Sequence, residues 1–216
     1  MLQYRASSGF RKRLRELAPD WLDITVVNEA DHAIFQEEMR DAEILLHVLE
    51  PVTAEVIARA PRLRLIQKIG VGVNTIDLES ARSHGIAVAN MPGTNSQAVA
   101  EMTLLLMLAA LRRIVHLDSV TRQGQGWNLK PEVFDGVGEL CGRTVGLVGY
   151  GEVPRRLAPA LQALGAHVLY TATSPKAGAL AQWRPLDELL SKSDVVSLHL
   201  PLTAATASLL DDAAFT

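Results

Sequence analysis

The residues of this sequence best suited to chemistry stand in two glycine turns, each following an apolar run. One is Gly149-Tyr150-Gly151, which follows the apolar run Thr144–Val148 and precedes a helical pattern over Arg155–Leu164. A GxG turn between a strand and a helix is where a dinucleotide pyrophosphate binds. The first glycine permits the tight turn, and the second lets the backbone approach the phosphates. The phosphates then face the free N–H groups and the positive end of the helix. The competing reading is a purely structural turn of an α/β domain. Pro154 stands at the third glycine position. It is tolerated in a first helical turn, but it removes one N–H donor and adds bulk. No Asp or Glu occurs between Val153 and Leu186, so the carboxylate that binds a ribose 2′-hydroxyl in NAD-preferring domains is missing. Thr173, Ser174 and Lys176 occupy that region instead. They suit a 2′-phosphate and favour NADP over NAD. The alternative is a polar loop with no nucleotide role. The other turn, Gly70-Val71-Gly72, follows the apolar run Leu63–Ile69.

The remaining reactive side chains point nowhere in particular. His32, His47, His84, His116 and His167 stand in no paired motif with a carboxylate, and His199, a tempting catalytic base, falls near the end of the strand expected at 194–200. The lone Cys141 excludes an intramolecular disulfide and a multi-cysteine zinc site. No metal site is expected. Arg11, Lys12, Arg13 and Arg15 form a basic cluster that reads as the solvated face of a helix.

The elements that must position these turns alternate. Helices are expected at 10–17, 33–38, 54–59, 77–84, 98–111, 155–164 and 186–191. Strands are expected at 22–27, 42–48, 63–69, 86–90, 144–148, 167–171 and 194–200. Alternating short apolar strands and amphipathic helices predict an α/β protein with parallel sheets. Thr94-Asn95-Ser96-Gln97 has the form of a capping box. The apolar character of 98–111 on nearly every side predicts a helix buried on nearly every side. A boundary falls near 112–125, giving units 1–115 and 116–216, and the second opens the β-α-β-α-β pattern of a dinucleotide-binding domain. The chain has 216 residues, 48% hydrophobic and 21% charged, with net charge -3. That balance gives no electrostatic case for nucleic acid or an anionic membrane surface. The longest strictly apolar run, Leu104–Leu111, is far short of the ~20 residues of a membrane helix. With no signal-peptide pattern and one cysteine, a cytoplasmic location is expected.

Four ordered segments carry a family resemblance. They are Ile66–Asp77 (IQKIGVGVNTID), Asn90–Glu101 (NMPGTN through AVAE), Gly142–Gly151 (GRTVGLVGYG) and Ser193–Thr203 (SDVVSLHLPLT). Together they resemble the D-isomer-specific 2-hydroxyacid dehydrogenases. The resemblance implies a flavodoxin-like substrate domain, with residues 1–115 as its N-terminal segment, followed by a partial Rossmann NAD(P)-binding domain in 116–216. It implies a substrate carboxylate held by the backbone at Val71 and Gly72, a role open to a glycine turn after a strand, the alternative being a tight turn with no ligand. It also implies a pyrophosphate turn made by Gly149, Gly151, Glu152 and Val153. Leu200, Pro201 and Thr206 are implied to flank the adenine side. Thr103 would lie near the cofactor, with core packing an equal contender, and Glu101 reads as a structural acceptor. The implied reaction is hydride transfer between a nicotinamide and a 2-hydroxy or 2-keto acid. In the family it needs an arginine, a histidine and an acid that lie past the last residue of this sequence. No catalytic residue is therefore assigned. The expectation is a C-terminally truncated chain, inactive alone, which would need on the order of 100 more residues to complete two domains. A homodimer is implied as well. The alternative function is a non-catalytic nucleotide-binding or dimerising remnant.

Overall fold

Among the described residues, nine short strands form two wholly parallel sheets. The computed structural model describes residues 1–28 and 30–215. Two units result, Met1–Thr94 and Asn95–Thr216.

In the first unit the strands are β1 (Leu2–Gln3), β2 (Val26–Val27), β3 (Ile44–His47), β4 (Leu65–Lys68) and β5 (Ala87–Ala89). Their order is β2-β1-β3-β4-β5, the flavodoxin-like arrangement. Strands β3 and β4 pair in register from Ile44↔Leu65 to His47↔Lys68. Alternate residues of both are buried, so Leu45 and Ile66 share a face that packs on Phe35, Met39 and Ile57. Four helices connect the strands: α1 (Ser8–Leu17), α2 (His32–Met39), α3 (Ala54–Ala58) and α4 (Leu78–Ser83). Ser7, Asp31, Thr53 and Asp77 each close a helix start by accepting a first-turn N–H, which is why those residue types stand there.

In the second unit the strands are β6 (Thr144–Val148), β7 (His167–Thr171), β8 (Gln182–Trp183) and β9 (Val195–Leu198). Their order is β8-β7-β6-β9, the first four positions of the Rossmann order 3-2-1-4-5-6. Helices α5 (Ser96–Leu111) and α7 (Glu152–Ala163) belong to this unit, with α6 (Ile114–Arg122) and α8 (Leu186–Lys192). Ala100 and Met107 of α5 join Leu157, Leu161, Val145 and Leu147 in one core. Leu189 of α8 packs with Val148 and Leu169 in another. A Cβ on Gly146 would come 2.3 Å from Ser193 Oγ and 2.6 Å from Leu189 Cδ2, so only glycine lets α8 lie this close to β6.

Several expectations need correction. The contacts divide the chain at Thr94/Asn95 rather than at 115/116, because α5 packs on α7. Helix α5 is not buried on all sides. It buries Ser96, Ala100 and Met107, while Met102, Leu105 and Leu106 remain 53%, 57% and 61% exposed. No capping box forms. Thr94 donates to the Met91 carbonyl, Gln97 donates to Glu101, and the cap residue Asn95 makes no side-chain cap bond. The expected strand at 22–27 shrinks to Val26–Val27, and β1, β8 and α6 were not foreseen. Among the described residues, no helix is long and apolar enough to cross a membrane.

Candidate functional site

Strand β6 is central in its sheet, and the strand order reverses between it and β9. Ligands of open parallel sheets bind at such a switch point, beyond the carboxyl ends of the strands. Gly149 stands there with φ +99°. Its N–H donates to the Thr171 carbonyl at 2.9 Å. A Cβ on it would lie 2.3 Å from the His199 carbonyl oxygen. The residue is therefore required twice, by its left-handed backbone and by the close passage of the chain after β9.

Gly151 differs. It is the cap residue of α7, with φ -90° and ψ -154° and no side-chain cap bond. A Cβ on it would meet nothing within 4 Å. Open space lies where a side chain would project, over an uncapped helix start, and this fits a pyrophosphate. Glu152 and Val153 open α7, where N–H groups have no acceptor within the helix, while the buried Pro154 has none to give. The Glu152 carboxylate is 3.9 Å from Arg156 and both are exposed, so this pair contributes little.

Tyr150, between the two glycines, turns inward. Its ring lies 4.1 Å from that of Tyr170, and the Arg155 guanidinium lies 5.8 Å from the Tyr150 centroid. The two hydroxyls fasten the loop that follows β7. Lys176 N donates to Tyr170 Oη at 2.6 Å, and Leu180 N donates to Tyr150 Oη at 3.2 Å. Thr173 and Ser174 are exposed on that loop. Sequence reasoning missed both tyrosines; their signal was an aromatic inside the GxG turn and a second one near the end of the next strand. After β9, His199 N donates to the Val148 carbonyl at 2.7 Å, and Leu200 packs against Val148, Leu169 and Leu189. The Thr206 hydroxyl donates to the Pro201 carbonyl at 2.6 Å and accepts from Thr203 N at 2.8 Å, which closes this loop on itself. Gly149 and Leu200 are thus neighbours, 3.5 Å separating a Gly149 Cβ from that of Leu200. Thr103 donates to the Val99 carbonyl of its own helix at 2.7 Å, and among the described residues no hydrogen bond joins it to the turn.

In the first unit, the turn after β4 contains Gly70 at φ +146° and Val71, 47% exposed. Among the described residues, no acceptor meets the N–H of Val71 or Gly72. Two ionisable groups end the adjacent strands. His47 and Lys68 are buried. Burial holds both below their ordinary values, and for His47 the Lys68 charge adds to the effect. His199 is also lowered by burial, and its Nε2 lies 3.0 Å from Ser197 Oγ. Among the described residues, no group of three or more His, Cys, Asp or Glu could hold a metal ion.

Comparison with known proteins agrees with this fold. Residues 4–214 match the family described as D-isomer specific 2-hydroxyacid dehydrogenase, catalytic domain. A glyoxylate reductase of Aeropyrum pernix is 35% identical over 209 residues, covering 91% of this chain and 62% of that protein. A D-lactate dehydrogenase from Aquifex aeolicus, complexed with NAD and lactic acid, superposes with TM-score 0.82 at 26% identity over 95% of this chain and 62% of that one. An acyclic imino acid reductase, Bsp5, in complex with NADPH and D-Arg, superposes with TM-score 0.78 at 25% identity over 99% of this chain and 68% of that one. The chain spans about 62% of the curated relative's length. A flavodoxin-order sheet, a Rossmann-order sheet with its glycine turn at the switch point, and a match over nearly all residues lead to one assignment: the chain belongs to the D-isomer specific 2-hydroxyacid dehydrogenase family.

Proposed function

We propose that this chain carries the substrate-binding and cofactor-binding segments of a nicotinamide-dependent oxidoreductase acting on a 2-hydroxy or 2-keto acid. The observation that carries the reading is the open space at Gly151 above the uncapped start of α7. Gly149, Gly151, Glu152 and Val153 hold the pyrophosphate, with Leu200, Pro201 and Thr206 flanking the adenine side. The relatives' complexes contain NAD in one case and NADPH in the other. NADP is favoured here because Thr173, Ser174 and Lys176 stand in a loop without a carboxylate, pinned by the two tyrosine hydroxyls. Thr103 is kept as a cofactor neighbour, secondary to its helix bond.

Val71 and Gly72 hold the substrate carboxylate with their free N–H groups. When bound, the nicotinamide supplies or accepts the hydride at C2 of the acid. The chain's own residues bind and orient; none is assigned proton transfer. His47 is buried with its Nε2 on the Glu50 carbonyl, and His199 faces Ser197 rather than a carboxylate. Among the described residues, neither hydrogen-bonds to a carboxylate of the kind that orients a general base.

A homodimer is part of the reading. Its support is the exposed apolar side of α5, with Trp127 fully exposed at 101%, because apolar patches of this kind mark interfaces. A cytoplasmic location completes it.

Titration with NADPH and NADH, followed by reduced-nicotinamide fluorescence, tests the cofactor reading. NADPH should bind more tightly. Tighter NADH binding overturns the NADP preference, and binding of neither overturns the nucleotide reading. Turnover of glyoxylate by the pure chain with NADPH would overturn the claim that its residues bind without completing the proton transfer.

A further inference from the structure

We propose that Asn90 is a positioning residue for an anion site at the Gly70–Gly72 turn, and that Lys68 gives this site its cation, so that the turn takes a small carboxylate. The inference rests on the proposed carboxylate role of Val71 and Gly72 and supplies what orients and charges them.

In a trans peptide the carbonyl and the following N–H point in opposite directions, and no peptide of this chain's described residues is cis. The Gly70 carbonyl accepts from Met91 N at 2.9 Å. The Val71 carbonyl accepts from Asn90 Nδ2 at 2.9 Å. Both carbonyls of the turn are thus drawn towards the segment that ends β5. The N–H groups of Val71 and Gly72 must then face away from it together, and among the described residues neither meets an acceptor. Met91 acts through its backbone, which any residue would supply. Asn90 acts through its side chain, so its amide is the specific requirement.

Lys68 supplies the second, independent observation. It ends β4 and is 7% exposed. Its ammonium donates to the Val48 carbonyl, and among the described residues no carboxylate pairs with it. A buried charge without a counter-ion is costly, so such groups are normally paired. The side chain runs beside the turn, since a Cβ on Gly70 would come 3.5 Å from Lys68 Cε. A carboxylate in the cradle would be the missing counter-charge. His47, paired in register with Lys68, adds no competing negative charge. Its Nδ1 is buried without a partner, and its Nε2 lies 2.6 Å from the Glu50 carbonyl.

The test uses the full chain, 15N-labelled, titrated with oxalate as a planar carboxylate probe. In the wild type the amide resonances of Val71 and Gly72 should shift and saturate. Asn90→Ala should bind at least tenfold more weakly. Asn90→Leu, which keeps the side-chain volume without the donor, should lose as much, and the melting temperature of both should stay within a few degrees of wild type. Lys68→Met should also weaken binding at least tenfold. Wild-type affinity in Asn90→Leu overturns the positioning role, and wild-type affinity in Lys68→Met overturns the cation. If oxalate moves neither amide in the wild type, the carboxylate reading itself falls and this inference with it.

Discussion

Replacing Gly149 and Gly151 separately by alanine should divide stability from binding. At Gly149 the new Cβ would lie 2.3 Å from the His199 carbonyl oxygen, and the residue would be held at φ +99°. The left-handed backbone costs roughly 1–2 kcal/mol without glycine. Forcing an atom against backbone costs a further 1–3 kcal/mol or so, because a carbonyl cannot swing aside as a flexible side chain can. The expected loss is about 2–5 kcal/mol, a large share of the 5–15 kcal/mol typical of a folded domain. With a urea slope of about 2 kcal/mol/M, in the usual range for a domain, the midpoint should fall by about 1–2.5 M. The unfolding of this unit can be followed by the fluorescence of Trp183, whose Nε1 donates to the Ala172 carbonyl. At Gly151 the Cβ meets nothing and φ is -90°, so the urea midpoint should stay close to that of the wild type. The same methyl projects into the space above the α7 start, and NADPH affinity should drop at least tenfold. Wild-type NADPH affinity in Gly151→Ala would remove the phosphate space at α7, and unfolding of Gly149→Ala at the wild-type urea concentration would remove the steric requirement at Gly149.

Other changes probe the scaffold. Pro159 lies inside α7, where it forfeits a helical hydrogen bond. Pro159→Ala should raise stability by about 1–2 kcal/mol, less than the full helix-propensity difference because proline also restricts the unfolded chain, and a lower urea midpoint would contradict this. Gly146→Ala drives a Cβ towards Ser193 Oγ and Leu189 Cδ2. It should destabilise by about 1–3 kcal/mol, with partial recovery in the double variant carrying Ser193→Ala; additivity of the two changes would show that Ser193 is not the obstacle. Burial, reinforced by the Lys68 charge, lowers the folded pKa of His47, so the unfolded chain binds its proton first as pH falls. Stability from this group is full above the ordinary value of 6.5 and is lost as pH drops below it towards the folded value. Urea midpoints between pH 7.5 and 5 should show a steeper decline in the wild type than in His47→Gln, and equal slopes would remove His47 as the cause. If the exposed side of α5 is an interface, Leu105→Glu with Leu106→Glu should shift the chain to monomer in light scattering; a wild type already monomeric at all concentrations would remove the dimer.

Elements whose signal is local are legible in the order of the residues alone. Strands β6 and β7 lie where their apolar runs place them, because a strand buried on both faces reads as a continuous apolar stretch. The glycine turn after β6 is legible for the same reason: strand, turn and helix are consecutive in the chain. The carbonyl of His199 that makes Gly149 obligatory is not legible, since it comes from a segment about fifty residues away. Strands β1 and β8 have two residues each; their extended state exists only because neighbours pair with them. Helix α5 shows the opposite error, since uniform apolarity says that a helix needs cover but not which side receives it. Tyr150 and Tyr170 become a clamp only when β6 and β7 lie side by side, and Asn90 becomes the orienting group of the Val71 peptide only when β5 pairs with β4. Local periodicity specifies backbone states, whereas these roles depend on the direction of hydrogen bonds between strands, and that direction is settled only once the sheets have assembled.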